Sequence, residues 1–298
     1  MRHAKITNYG AKRGAKVNLK VAKVLNNNVI IATHPEHEEV VIISKGIGFN
    51  RKSGDQIPLQ AVEKMFILTR QEEQEQYKQL VPRVSEKLIE TINDIILNIT
   101  SKSNVPLNEH IHIALTDHIA FAMKRKEQGI VLHNPFLYET KDMYPMEYEF
   151  AEYAIELIEK RLGVDLGKEE IGFVALHIYS AMTNQNISQV QEHSKLIADL
   201  VALVEEQLDY RIPRDSLDYS RLVTHLRFAI ERVRRGEEVA EIYKLDSLLN
   251  QEYPEMYSLA WKLTKIMERR INLPVYSAEV SYLTMHLQRL SQKKERNE

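Results

Sequence analysis

A chain of 298 residues, 44% hydrophobic and 28% charged, has an ordinary globular composition and is long enough for two or three domains that each bury a core. Its formal net charge of −2 offers no global pull toward nucleic acid, so any RNA or DNA contact has to come from a local surface. The absence of cysteine excludes disulfides, thiolate nucleophiles and cysteine-ligated zinc and fits a reducing cytoplasm, while no apolar run approaches a membrane span and no secretion signal opens the chain.

Residues 1–20 carry six basic residues and no acid and precede the first strand without a pattern of their own. They read as a basic arm. The alternative is a start codon placed too early, with translation natively beginning at Val17. Four short β-branched runs follow, at Val21–Leu25, Val29–Thr33, Glu39–Ser44 and Lys64–Leu68. Asn26-Asn27-Asn28, Lys45-Gly46-Ile47-Gly48 and Ser53-Gly54-Asp55 supply turns between them. Such a small all-β unit has little core, so dimerisation is expected to bury its apolar face.

From Thr69 the pattern changes. RQEEQEQYKQL reads as a solvated linker entering a helix. Beyond it apolar residues recur at helical spacing, first at Leu88, Ile92, Ile95, Ile96 and Ile99, then at Ile155, Leu157, Ile158 and Leu162. TNQNIS at 183–188 is a polar break, and SQKKERNE reads as a frayed tail.

The helical part is duplicated. The segments running from Tyr144 to His177 and from Tyr253 to His286 align without a gap and share 8 of 34 residues. His118 reaches Gly129 and His225 reaches Gly236 in the same 11 steps. Each repeat therefore carries two histidines in matched places: His118 and His177, then His225 and His286. A lone apolar-helix histidine is normally a hydrogen-bonded core residue; four at two pairs of matched positions weaken that reading, although retention after duplication accounts for part of it. Two histidines per repeat, with no carboxylate read at matched spacing beside both, are too few for zinc. No GxSxG, Walker or HExxH motif suggests an enzyme. A neutral imidazole can attack a phosphoryl group, and the phosphohistidine needs donors nearby. Arg221 and Arg289 flank the second pair, whereas Ala114 and Phe121 stand at the spots around His118.

VAKVLNNNVIIATH, VVIISKGIGFNRKSGD and EKMFIL resemble the co-antiterminator RNA-binding domain of the BglG/SacY/LicT transcriptional antiterminators. The two helical repeats resemble the phosphotransferase-system regulation domains that follow it, and LNEHIHIALTDHIAFA is similar to the glucose-type branch. The resemblance covers 21 to about 290. It implies a dimeric four-stranded antiparallel sheet at 21–70 followed by helical-bundle regulatory domains at 74–183 and 188–292. It further implies a homodimer that holds a hairpin in nascent mRNA and so prevents a terminator from forming upstream of a sugar phosphotransferase operon. Lys23, Asn26, Asn28, Lys45, Gly46 and Phe49 match RNA-surface positions. Their chemistry agrees: amides for base edges, an aromatic ring for stacking, lysines for phosphate. Many relatives have glycine where this chain has Ser44. His118, His177, His225 and His286 match phosphorylated positions, with the sugar permease (IIB) and the phosphocarrier HPr as donors. No cofactor, metal or membrane insertion is implied. A DNA-binding activator sharing the helical repeats, a histidine phosphocarrier and a purely structural repeat protein are the alternatives. The first of these requires an N-terminal helix-turn-helix.

Overall fold

The computed structural model describes residues 18–35, 39–62, 64–66, 71–237 and 243–297. The proposed early start and the residues Ile67 and Leu68 of the last expected strand lie outside them. By its contacts the chain divides into two compact units. One holds the residues up to His133 together with Met146–Asn186; the other holds Asn134–Pro145 and the chain from Ile187 onward.

The first unit begins with an antiparallel sheet of five strands: β1 (Asn18–Val24), β2 (Val29–Thr33), β3 (Glu39–Ile43), β4 (Gln56–Pro58) and β5 (Lys64–Phe66), in the order β4-β1-β2-β3-β5. All four expected strands are present. The short β4 at one edge is additional, and β1 starts at Asn18, so the last residues assigned to the basic arm are strand and Leu19 is fully buried. Among the described residues before Gln71 no α-helix occurs, and a DNA-binding reading finds no helix-turn-helix among them.

The runs VIIA and VVII are continuously apolar rather than alternating, and the sheet explains why. Ile30, Ala32, Val40 and Ile42 point into a core closed by Leu19, Val21, Ile47, Ile57, Val62 and Met65. Their neighbours Val29, Ile31, Val41 and Ile43 point the other way, against Tyr77, Val81, Ile89 and Ile113. With a strand period of two, a sheet buried on both faces has to be apolar at every position. In the single chain, helical residues Tyr77, Val81, Ile89 and Ile113 cover the face expected to be buried by dimerisation.

Those helices are α1 (Gln71–Leu80), α2 (Glu86–Ser103) and α3 (Ile111–Glu127), with α5 (Pro145–Leu162) and α6 (Lys168–Thr183) completing the unit. Of RQEEQEQYKQL, expected as a solvated linker entering a helix, Gln71–Leu80 are all α1, anchored by Tyr77, which is 1% exposed. Ser85 caps α2 by accepting from Leu88 N–H at 3.2 Å, and the apolar stripe Leu88, Ile92, Ile95, Ile96 and Ile99 is buried as its spacing requires. Asn104 and Asn184, both in the left-handed region, end α2 and α6.

The second unit contains α4 (Leu137–Met143), α7 (Ile187–Leu208), α8 (Leu217–Arg235), α9 (Tyr243–Glu252), α10 (Pro254–Ile271) and α11 (Ala278–Asn297). Although α4 precedes the first Tyr-Pro anchor in sequence, it packs here: Tyr219 Oη donates to Glu139 at 2.6 Å and Ser220 Oγ to Asp142 at 2.9 Å. The backbone of the expected frayed tail continues α11 as far as Asn297.

Because Tyr77 fills the junction between sheet and helices, Tyr77→Ala is expected to destabilise the first unit by about 3 kcal/mol or more, as large-to-small core changes do. Urea unfolding of the two proteins measures it; a difference below about 1 kcal/mol would mean that the junction repacks at little cost.

Candidate functional site

The two histidines of each repeat meet. His118 on α3 and His177 on α6 have ring centroids 4.8 Å apart, and His225 on α8 and His286 on α11 are 4.7 Å apart. Each pair is completed by two residues the sequence reading passed over. His118 Nε2 lies 2.9 Å from Glu170 Oε2, and Glu170 Oε1 accepts from Arg125 Nη2 at 2.5 Å. In the second repeat His225 Nε2 lies 3.6 Å from Glu279 Oε2, and Arg232 grips Glu279 through Nε at 2.7 Å and Nη2 at 2.8 Å.

The spacing is simple. Each arginine follows its first histidine by seven residues and each glutamate precedes its second histidine by seven. Seven residues are close to two helical turns, so each helix presents one face with two levels, a histidine level and a charge level. The pairings of His118 with His177 and of Arg125 with Glu170 run the two helices antiparallel. The view that the repeats place no carboxylate at matched spacing, and that the first repeat lacks an arginine for its histidines, is thereby corrected. The signal was available: Glu170 and Glu279 are among the identities of the repeat, and HIAFAMKR over HLRFAIER aligns the arginines.

Electrostatics divides the roles. Burial pushes the His177 imidazole down to about 3, with the nearby His118 and then His110 lowering it further. Burial likewise lowers His286 to about 4, aided by His225, Arg289 and Arg221. Both rings are therefore neutral near pH 7. For Glu170 burial alone would raise the carboxyl, but His118 and Arg125 outweigh it and hold the group below the usual carboxylate range. His225 and Arg232 do the same for Glu279. Arg221 and Arg289 do not bond the histidines; both pair with Asp218, at 3.7 and 3.3 Å. No group of three or more potential metal ligands occurs among the described residues.

The first pair opens into a cleft lined by Gln76, Gln79, Arg83, His110, Asp117 and Phe121. Phe121 is 58% exposed there, with the Arg125 guanidinium 4.8 Å above its ring. His112, two residues from His110, faces the other way: it is buried, with Nδ1 2.9 Å from Asn93 Oδ1.

The candidate RNA-facing residues lie at the end of β1, where Lys23 sits, and on the β1–β2 and β3–β4 turns. Lys23 and Lys45 are exposed, and Phe49 is 63% exposed, which sets aside a core role for its ring. Gly46 has φ +71° and Gly48 lies so close to the Asn turn that a Cβ would stand 2.2 Å from the Asn26 carbonyl oxygen, which requires glycine at 48. Asn26 Oδ1 accepts from Asn28 N–H at 2.9 Å, and Asn28 Oδ1 accepts from Gly46 N–H at 2.6 Å, tying the two turns together. Ser44 is buried and its N–H donates to the Asn28 carbonyl at 3.0 Å. The Asn28 amide also donates to Glu86 at 2.9 Å and Glu90 at 3.0 Å on α2, and Asn27 N–H donates to Glu86 at 3.0 Å. The first turn of α2 thus sits on the asparagine turn.

The buried imidazoles make stability depend on pH. Burial lowers His112 and His177 from 6.5 to about 3, so between those values the unfolded chain takes up protons that the folded chain refuses. Stability is expected to fall as pH drops below about 6.5, by roughly 1.4 kcal/mol per pH unit for each fully buried imidazole. Below about pH 4.5 the depressed carboxylates Glu170 and Glu279 add to the loss. Urea unfolding at pH 7, 6 and 5 checks this, and a flat profile would contradict it.

The CAT RNA binding domain family matches residues 19–75, and the PRD domain family matches residues 93–181 and again 198–290. The chain is 50% identical over 273 residues to the PtsGHI operon antiterminator of Bacillus subtilis (strain 168), covering 92% of this chain and 97% of that protein. It is 36% identical over 282 residues to the GlcA/glcB genes antiterminator of Staphylococcus carnosus (strain TM300), covering 94% and 98%. With the transcription antiterminator LicT of Bacillus subtilis (strain 168) it shares 32% over 274 residues, 91% of this chain and 99% of that one. The crystal structure of GlcT CAT-PRDI covers 56% of this chain and 99% of its own, with 53% identity and a TM-score of 0.52. One match to the CAT RNA binding domain followed by two to the PRD domain, together with these full-length relatives, shows that the chain belongs to the BglG/LicT family of antiterminators with a CAT RNA-binding domain and two PRD domains.

Proposed function

We propose that the chain is a transcriptional antiterminator of a sugar phosphotransferase operon, of the glucose type. Residues 21–70 hold a hairpin in nascent mRNA and so keep a terminator from forming; 74–183 and 188–292 regulate that activity. Lys23 and Lys45 meet phosphate, Asn26, Asn28 and the Gly46 backbone meet base edges, and Phe49 stacks on an unpaired base. His118, His177, His225 and His286 receive phosphate, the first pair from the permease IIB domain and the second from HPr. Phosphate on the first pair inactivates; phosphate on the second favours activity. The active species is a homodimer.

The observation that carries this reading is the twice-built histidine pair that follows, along the chain, a sheet exposing Lys23, Lys45 and Phe49. The contact of Glu86 and Glu90 with Asn28 links the two halves of the mechanism. RNA has to displace these carboxylates before it reaches the Asn28 amide, and dimerisation through the Val29–Ile31–Val41–Ile43 face requires α1, α2 and α3 to leave it. A shift in the helical domain that moves α2 therefore changes RNA affinity.

Binding of the full chain to the leader hairpin, at fixed salt, tests the RNA surface. Phe49→Ala is expected to weaken binding by ~1–3 kcal/mol through lost stacking. Glu86→Ala combined with Glu90→Ala is expected to tighten it about tenfold, because charge-assisted hydrogen bonds no longer compete for Asn28. No binding by the folded chain sinks the reading, and an unchanged double variant sinks the competition. A reporter placed behind the terminator tests the regulation: His118→Ala with His177→Ala is expected to give read-through without inducer, and continued termination would refute negative control by the first pair.

A further inference from the structure

We propose that the phosphate-accepting atom of His118 is Nδ1, and that Glu170, held by Arg125, is the positioning residue that makes it so. The inference rests on the reading of His118 as a phosphoacceptor and extends it to the nitrogen and to two residues outside the histidine pair.

A carboxylate only accepts hydrogen bonds, so the 2.9 Å contact between His118 Nε2 and Glu170 Oε2 places the ring hydrogen on Nε2. In the neutral ring the lone pair is then on Nδ1, the only nucleophilic nitrogen left. Arg125 makes the arrangement stiff: its 2.5 Å bond to the other oxygen divides the carboxylate between one cation and one imidazole. Both donors are largely shielded, His118 at 15% and Arg125 at 13% exposure around a Glu170 side chain that is 6% exposed, so water does not readily substitute for either. The second repeat builds the same register, with Arg232 on both oxygens of Glu279 and His225 Nε2 buried 3.6 Å from that carboxylate.

The transfer balances without removing a proton. Nδ1 attacks the donor phosphorus in line, the N–P bond forms, and the bond from phosphorus to the donor's sulfur or nitrogen breaks, that atom leaving with the electron pair. Nε2 keeps its hydrogen, so the product ring is an imidazolium whose charge lies against Glu170. The neighbouring His177 ring is neutral and adds no opposing charge. This is the logic by which a buried carboxylate fixes the tautomer of a catalytic histidine.

The test is NMR of the full chain labelled with 15N-histidine and phosphorylated by the phosphorylated permease IIB domain, which separates the two phosphohistidine isomers. The expected product at position 118 is the Nδ1 phosphate with a hydrogen on Nε2. An Nε2 phosphate at His118 overturns the assignment and leaves phosphorylation standing. No phosphate at His118, with other histidines labelled, removes the reading beneath it. Glu170→Gln isolates the positioning role. Arg125 retains the amide oxygen, so the amide NH2 faces Nε2 and the ring hydrogen moves to Nδ1. Loss of the Nδ1 isomer, or labelling at 118 slowed by at least about tenfold, is expected, with His225 phosphorylation by phosphorylated HPr as the check on folding. An unchanged isomer and rate in that variant would overturn the role given to Glu170.

Discussion

A buried carboxylate has to be paired, and that requirement organises both helical repeats. Glu170 and Glu279 are 5% and 0% exposed, where an uncompensated charge would cost several kcal/mol. Each is met by an arginine and a histidine from the facing helix. To make that meeting, α3 and α6 have to lie antiparallel with their seven-residue faces opposed, as do α8 and α11. Once they do, the second histidine of each helix pair is carried against the first. The contact between rings, the neutrality of His177 and His286, and the orientation of His118 all follow from this one registration.

The two copies are not identical in grip. Glu170 shares its oxygens between His118 and Arg125, whereas Arg232 takes both oxygens of Glu279 and leaves His225 at 3.6 Å. Around the second pair lies a further cationic group, Arg221 and Arg289 with Lys293, gathered on the buried Asp218. The first pair has instead an exposed Phe121 and a cleft with Arg83 and His110. The same chemical core thus presents a different surface to whatever approaches it.

The sheet couples to this core through its covered face. Burying Val29, Ile31, Val41 and Ile43 against Tyr77, Val81, Ile89 and Ile113 gives α1, α2 and α3 a fixed seat, and that seat brings Glu86 and Glu90 onto the asparagine turn. A switch needs an element with two arrangements and a difference in what each exposes. Here the same helices bear on the apolar face of the sheet and on the amide at 28, and α3 also carries His118. The physical path from histidine to turn is short and lies within one packed unit.

Local chemistry was legible without coordinates wherever it was a matter of period or residue type. The strands, the Asn and Gly turns, the α2 stripe and the matched histidines follow from spacing alone. What escaped was whatever depends on a distant partner. Gln71–Leu80 has no apolar stripe, and Tyr77, buried against the sheet with Leu80 beside it, turns a polar stretch into a packed helix. The covered sheet face was written in the unbroken runs VIIA and VVII, but the sequence does not say whether a second copy or a helix covers it. Glu170 and Arg125 were visible as repeat identities, yet 45 residues apart they carry no sign that they touch. The sequence by itself determined four of the five strands, the α2 stripe, the duplication and the chemical groups available, because those depend on neighbours along the chain. Which carboxylate faces which imidazole, and what lies over the asparagine turn, depend on long-range packing, and only the tertiary structure decided them.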